Sequence, residues 1–174
     1  MSKRSSRTYT VSMTVFVKPT LAPAPRSKQA RFVAVAFAAI LVGIVLTQLF
    51  TFDHLVELLP SIGLPFSGGF QYAIAPLIVV AEVFALPFLL TMTVSIAFRW
   101  LSMFCGWVAA LAWIGIGSYL LINGIDAANT GLLGTVVEMG SLATLIVGLL
   151  LALLAAWSAW GLWPLRSATK VIEK

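Results

Sequence analysis

Apolar positions in this chain fall into four long runs. Phe32–Phe50 is 19 residues without a charge, and Tyr72–Phe98 is 27 residues with one charge, Glu82. Trp100–Ile122 and Ser141–Trp163 are 23 residues each and uncharged. A helix rises about 1.5 Å per residue, so about 20 such residues cross the hydrocarbon of a bilayer. The pattern therefore predicts an all-α membrane protein built as a four-transmembrane-helix bundle. The first run is longer than a signal-peptide core, and no small-x-small cleavage site follows it at Thr47–Phe52.

The connections add detail. Only Arg99 and its neighbours separate the second run from the third, so those two helices should be adjacent and antiparallel. The first loop reads as a short helix, Phe52–Leu59, with Thr51 placed to cap it and Pro60, Gly63, Pro65 and Gly68-Gly69 to break it. Leu55, Leu58 and Leu59 give this helix an apolar face, so it either lies on the outer membrane surface or tucks back into the bundle. The second loop opens with the turn signal Asn123-Gly124 and carries a short apolar stretch at Leu132–Val137.

The first thirty residues follow another period. Tyr9, Val11, Met13, Val15 and Val17 alternate with Thr8, Thr10, Ser12, Thr14 and Phe16, which predicts a cytoplasmic β-strand over residues 8–17. Pro19, Pro23 and Pro25 then form a stiff linker. A lone strand needs a neighbour, so the apolar face at Tyr9, Val11, Met13, Val15 and Val17 is a candidate partner-binding edge; the alternative is a solvated tail touching anionic lipid. The domain division is a basic N-terminal segment over 1–30, the membrane domain over 31–165 and a cytoplasmic tail over 166–174.

Composition sharpens the class. Of 174 residues 60% are apolar and 10% charged, where a soluble domain has about 25% charged. This excludes a soluble enzyme. The net charge of +5 comes from Lys3, Arg4, Arg7, Lys18, Arg26, Lys28, Arg31, Arg99, Arg166, Lys170 and Lys174 against six carboxylates. With the N-terminus inside, all eleven cations face the cytoplasm, and the outer loops hold only Asp53, Glu57, Asp126 and Glu138. The distribution follows the membrane and forms no aromatic-interleaved basic face, so nucleic acid is not an expected partner. The expected location is the prokaryotic plasma membrane with both termini cytoplasmic. Trp100, Trp157, Trp160 and Trp163 fall at the inner headgroup level, Tyr72 and Tyr119 near the outer one, as an aromatic belt.

Small residues mark helix contacts in lipid. Gly140, Thr144, Gly148, Ala152 and Ala156 form a row on the fourth span, Ala39, Gly43 and Thr47 on the first, and Gly106, Ala110 and Gly117 on the third. These rows serve packing within the bundle or against a neighbouring subunit. Pro87 should kink the second span.

Chemistry is sparse. One His and one Cys exclude a disulfide framework, a CxxC pair and a bis-histidine haem; no cofactor or metal is assigned to the chain itself, and Cys105 reads as a packing residue. Glu82 stands out because an ionised carboxylate at the bilayer centre costs about 2.5–3.5 kcal/mol on insertion scales. A neutral carboxyl is expected there, hydrogen-bonded to Gln48, Thr47, Ser118, Tyr119 or the carbonyl that Pro87 frees. This group is the intramembrane proton or ligand candidate, against a purely structural role in packing. Asp53, His54 and Glu57 share one face of the short outer helix as a small polar group.

Leu59-Pro60-Ser61-Ile62-Gly63-Leu64-Pro65-Phe66 followed by Glu82 in an apolar run resembles the DoxX-like and MauE-like membrane proteins. Those are four-helix bundles with a Gly-Leu-Pro turn after the first helix and a Glu in the second. The resemblance covers roughly residues 32–163. At the end of the first helix, where members often carry a Gly and a Lys, this chain reads Thr47-Gln48-Leu49-Phe50. The resemblance implies a membrane component of a redox system. With no self-contained catalytic constellation, the leading expectation is a non-catalytic accessory subunit that works with other membrane or cytoplasmic proteins. The alternatives are a small transporter with Glu82 in a midplane pocket, and a subunit that binds quinone between helices near Glu82.

Overall fold

The computed structural model describes residues 19–64, 70–125 and 127–163. These hold five helices: α1 (Lys28–Phe50), α2 (Phe52–Ser61), α3 (Phe70–Leu89), α4 (Ile96–Ile122) and α5 (Ser141–Gly161). All but α2 are long and apolar enough to cross a membrane. The strand expected over residues 8–17, with Tyr9, Val11, Met13, Val15 and Val17, lies outside the described residues.

Around the bundle, α1 packs on α3 and α5, while α4 packs on α3 and α5. The chain thus runs up and down a closed square of four helices. Large apolar side chains such as Leu46, Leu77, Phe104, Leu149 and Leu153 point outward, as a helix bundle solvated by lipid requires. The interior is filled by Phe37, Leu41, Leu120, Leu151 and Trp113.

One boundary differs from the hydropathy reading. The second span stops at Leu89, and Arg99 is not the turn but lies within α4. Two residues beyond Pro87 the helix closes with Met92 N–H donating to Pro87 O and Thr91 N–H to Phe88 O. Thr91 takes the left-handed conformation, φ 53°, in the arrangement that glycine ordinarily provides at a helix C-terminus. Ser95 then caps α4 by accepting from Phe98 N–H at 3.2 Å. The segment Leu90–Ser95 carries no charge, so hydropathy runs straight through it.

Pro87 has no N–H to give, and Ser102 of α4 mends the ladder beside it. Its hydroxyl accepts from Phe88 N–H at 2.9 Å and donates to Ala85 O at 3.2 Å. At the far end of α4 the Asn123-Gly124 signal is realised. Gly124 takes φ 65°, with Ile125 N–H donating to Leu120 O and Gly124 N–H to Leu121 O.

Small residues set the distance between α4 and α5. The first side-chain carbon at Gly117 would lie 2.8 Å from Leu145 N, and at Gly148 2.9 Å from Ile114 N. Neither position leaves room for any side chain. The row on α5 leaves the bundle interior lower down, where Ala156 is exposed and Leu151, Ala155 and Ser158 face inward. The row on α1 lies outside the interior as well. Ala39 and Gly43 face outward, and nothing lies within 4 Å of where a side chain on Gly43 would begin.

The two ends of the bundle differ in charge. Among the described residues, Arg26, Lys28, Arg31 and Arg99 lie at one end, hereafter the basic end, with Trp100 and Trp163 edge to face at 5.4 Å. There the stretch before α1 straps the helix termini together. Thr20 N–H donates to Val94 O, and Arg26 N–H donates to Gly161 O. The buried Arg99 guanidinium donates to Thr20 O at 3.0 Å, and Arg26 lies over the Trp160 ring, 4.8 Å from its centroid. Asp53, Glu57 and Glu138 are at the opposite, acidic end, all exposed.

At the acidic end α2 tucks in and does not lie flat. Leu55 and Leu59 are buried and α2 packs on α3. Pro60 does not break α2, which runs on to Ser61. Thr51 makes no side-chain cap on α2. Its hydroxyl donates to Thr47 O at 3.0 Å and accepts from Thr135 N–H at 3.1 Å, tying the second loop to the end of α1.

Candidate functional site: a polar cluster inside the bundle

Glu82, Gln48 and Trp113 meet inside the bundle, each from a different helix, with Gln48 in the last turn of α1, and none of the three has measurable solvent exposure. The inward position of Glu82 follows from the helical period, since Ile78, Ala81, Ala85 and Leu89 are buried on the same side of α3. Trp113 Nε1–H donates to Glu82 Oε1 at 2.8 Å. Gln48 Nε2–H donates to Leu132 O at 3.0 Å and reaches Glu82 Oε1 at 3.5 Å, the outer limit of a hydrogen bond. The second loop therefore belongs to the cluster through a backbone carbonyl.

That loop is folded for this contact. Asn129 Oδ1 accepts from Gly131 N–H at 2.9 Å, and Asn129 Nδ2–H donates to Gly134 O at 3.1 Å. Gly131 and Gly134 both take positive φ, 85° and 61°. A side chain at Gly134 would begin 2.7 Å from Thr47 O, so the loop sits directly on the end of α1. Leu132 is buried at its tip. The Thr130 and Thr144 hydroxyls, both buried, hydrogen-bond to each other and fix the loop to α5.

Of the partners expected for Glu82, Gln48 is in place. Thr47 spends its hydroxyl on Ile44 O at 2.7 Å. Ser118 and Tyr119 are half-buried and make no hydrogen bond to Glu82. At about 100° per residue they are turned well away from the face that carries Trp113, and they lie about 8–9 Å farther along the axis. Tyr119 instead lines a cleft of about 360 Å³ between α3 and α4 with Ile74, Ile78, Leu111 and Gly115. The carbonyl that Pro87 frees, Val83 O, receives no side-chain hydrogen bond from Glu82 among the described residues, and Ser102 bonds the nearby Ala85 O. Asp53, His54 and Glu57 stand exposed on α2. Among the described residues no group of three His, Cys, Asp or Glu side chains is placed to hold a metal ion.

Trp113 is the member that sequence reasoning missed. Its signal was its place in mid-span, away from the headgroup belt, where an indole N–H must find an acceptor. Glu82 is the one carboxylate in the four spans. The acceptor from Leu132 had no sequence signal, because it is main chain.

Two polar atoms in the cluster, Glu82 Oε2 and Gln48 Oε1, are buried without a hydrogen bond. The chemistry on offer is that of a carboxyl and an amide in a dry interior, suited to holding helices together and to accepting donors. Fold and cluster together define an integral α-helical membrane protein with a polar centre. No protein-family model, no curated protein and no solved structure matches the chain.

Proposed function

We propose that this protein is a non-catalytic accessory subunit of a larger membrane complex in the prokaryotic plasma membrane, with its basic end and both termini in the cytoplasm. The observation that carries this reading is the outward-facing pair Ala39 and Gly43 on α1. A glycine in a helix costs about 1 kcal/mol relative to alanine, and on a lipid-facing surface its use is to let another helix approach closely. A transmembrane helix of a second subunit is the occupant that fits. The orientation rests on the positive-inside rule applied to Arg26, Lys28, Arg31 and Arg99. The similarity of Gly63-Leu64-Pro65 and Glu82 to DoxX-like and MauE-like proteins supports a redox-linked complex in which partners carry the electrons.

Gly43→Ile tests this reading. Because the position faces outward, the variant should insert and fold as the wild type does, yet lose a stoichiometric partner on purification from native membranes in mild detergent. Retention of every partner by Gly43→Ile, or a wild-type protein that purifies alone, contradicts it. A bound quinone in the lone protein would instead favour a quinone-binding subunit.

A second reading is favoured by the unpaired polar atoms Glu82 Oε2 and Gln48 Oε1. On this reading the cluster is a site for a proton or a small ligand at the midplane, where polar groups inside membrane bundles commonly mark ion and substrate paths.

A further inference from the structure

The nitrogen donors of the central cluster are already engaged. Trp113 Nε1–H is given to Glu82 Oε1 and Gln48 Nε2–H to Leu132 O. What remains is Glu82 Oε2, which carries the hydrogen of the neutral carboxyl because Oε1 accepts from Trp113, and the acceptor Gln48 Oε1, on two side chains in hydrogen-bonding range of each other and both without solvent exposure. A buried polar group left without a partner costs about 1–3 kcal/mol. Anything that completes the site must therefore both accept and donate, and be small.

The two directions out of the site are unlike. Toward the basic end Phe37, Ala85, Phe88, Met103 and Ala155 enclose a cavity of only about 10 Å³, whose one polar side chain, Ser102, already spends its hydroxyl on α3. Toward the acidic end stands the loop tip at Leu132, whose carbonyl is itself bonded to Gln48. This tip lies between two glycines in left-handed conformations, is braced internally by Asn129, and is held to the helices by Thr135 N–H on Thr51, by the Thr130–Thr144 hydroxyl pair and by Gln48 on Leu132 O. Lifting the tip alone would free Gln48 at the same moment.

We propose that one molecule of water size binds between Glu82 and Gln48, accepting from Glu82 Oε2–H and donating to Gln48 Oε1, and that it enters from the acidic end past the Leu132 loop. Resting on the second reading above, the site gains a definite ligand class and an entry route. The bound water exchanges one of its hydrogens for the carboxyl hydrogen of neutral Glu82, and no other bond is made or broken.

The experiment uses the full chain in lipid vesicles transferred to D₂O. The infrared carboxyl band that disappears in Glu82→Gln reports the exchange. Cysteines at Thr51 and Thr135, in a Cys105→Ala background, join the loop to the end of α1 when oxidised. Oxidation is expected to slow deuterium exchange at Glu82 at least tenfold, with recovery on reduction. Leu132→Ala, which needs no cross-link, should speed it several-fold. Equal rates in the oxidised, reduced and Leu132→Ala proteins would overturn the entry route while leaving the reading of Glu82 as a proton site intact. A wild-type spectrum with no band that Glu82→Gln removes would overturn both.

Discussion

Glu82→Lys is expected to abolish folding or to prevent membrane insertion, whereas Glu82→Gln should fold. The contrast follows from which atoms face position 82. Trp113 Nε1–H and Gln48 Nε2–H both present hydrogens there. Glutamine retains a carbonyl oxygen to accept them. An ammonium group supplies a third donor, no acceptor and a charge in the bundle centre. The charge costs about 2.5–3.5 kcal/mol on insertion scales, and the stranded indole and amide donors add about 1–3 kcal/mol each. These are comparable to the whole stability of a small domain, about 5–15 kcal/mol. Equilibrium unfolding in bicelles should show Glu82→Gln within about 2 kcal/mol of wild type and no folded Glu82→Lys. Similar losses for both substitutions would mean that the carboxyl oxygen bonded to Trp113 does not hold the bundle.

The second large effect is expected at the α4–α5 contact. In Gly148→Leu the new side chain would start 2.9 Å from Ile114 N, and in Gly117→Leu 2.8 Å from Leu145 N. The obstacle in each case is main chain, which cannot swing aside, so the helices must separate. Overpacking in a tight core ordinarily costs about 1–3 kcal/mol. Here the loss should be greater, because van der Waals fit is the main attraction between helices in lipid. Separation would also loosen Trp113, since Trp113 C lies 3.2 Å from the same position. Gly43→Leu is the internal control: the same residue change on the outward face of α1 should leave monomer stability nearly unchanged. Equal destabilisation at Gly43 and Gly148 would contradict the packing described.

These sites show what the sequence made legible. Four apolar runs and the small residues of α4 and α5 are signals that hydropathy and period read directly. The α4 end was legible because Gly124 supplies the left-handed residue its terminus needs. The α3 end was not, because Thr91 takes that conformation without a glycine to mark it and the following turn is uncharged. Glu82 and Gln48 were legible as polar residues in apolar surroundings. Their remaining partners were not. Trp113 carried a signal in its mid-span position, but nothing in the sequence said which acceptor its indole N–H would meet, and Leu132 takes part through main chain alone. Likewise the spacing of Ala39, Gly43 and Thr47 marks a contact face without saying whether the contact lies inside the bundle or out.

Cysteine labelling in intact cells tests most directly whether the bundle crosses the membrane with its basic end inside. Single cysteines at Leu21 and Val136, both exposed and at opposite ends, are introduced into a Cys105→Ala background and treated with a membrane-impermeant maleimide. Val136→Cys should label in intact cells. Leu21→Cys should label only after the membrane is permeabilised. Labelling of Leu21→Cys from outside would reverse the orientation, and equal labelling of both positions in intact cells would show that the four helices do not span the membrane as described.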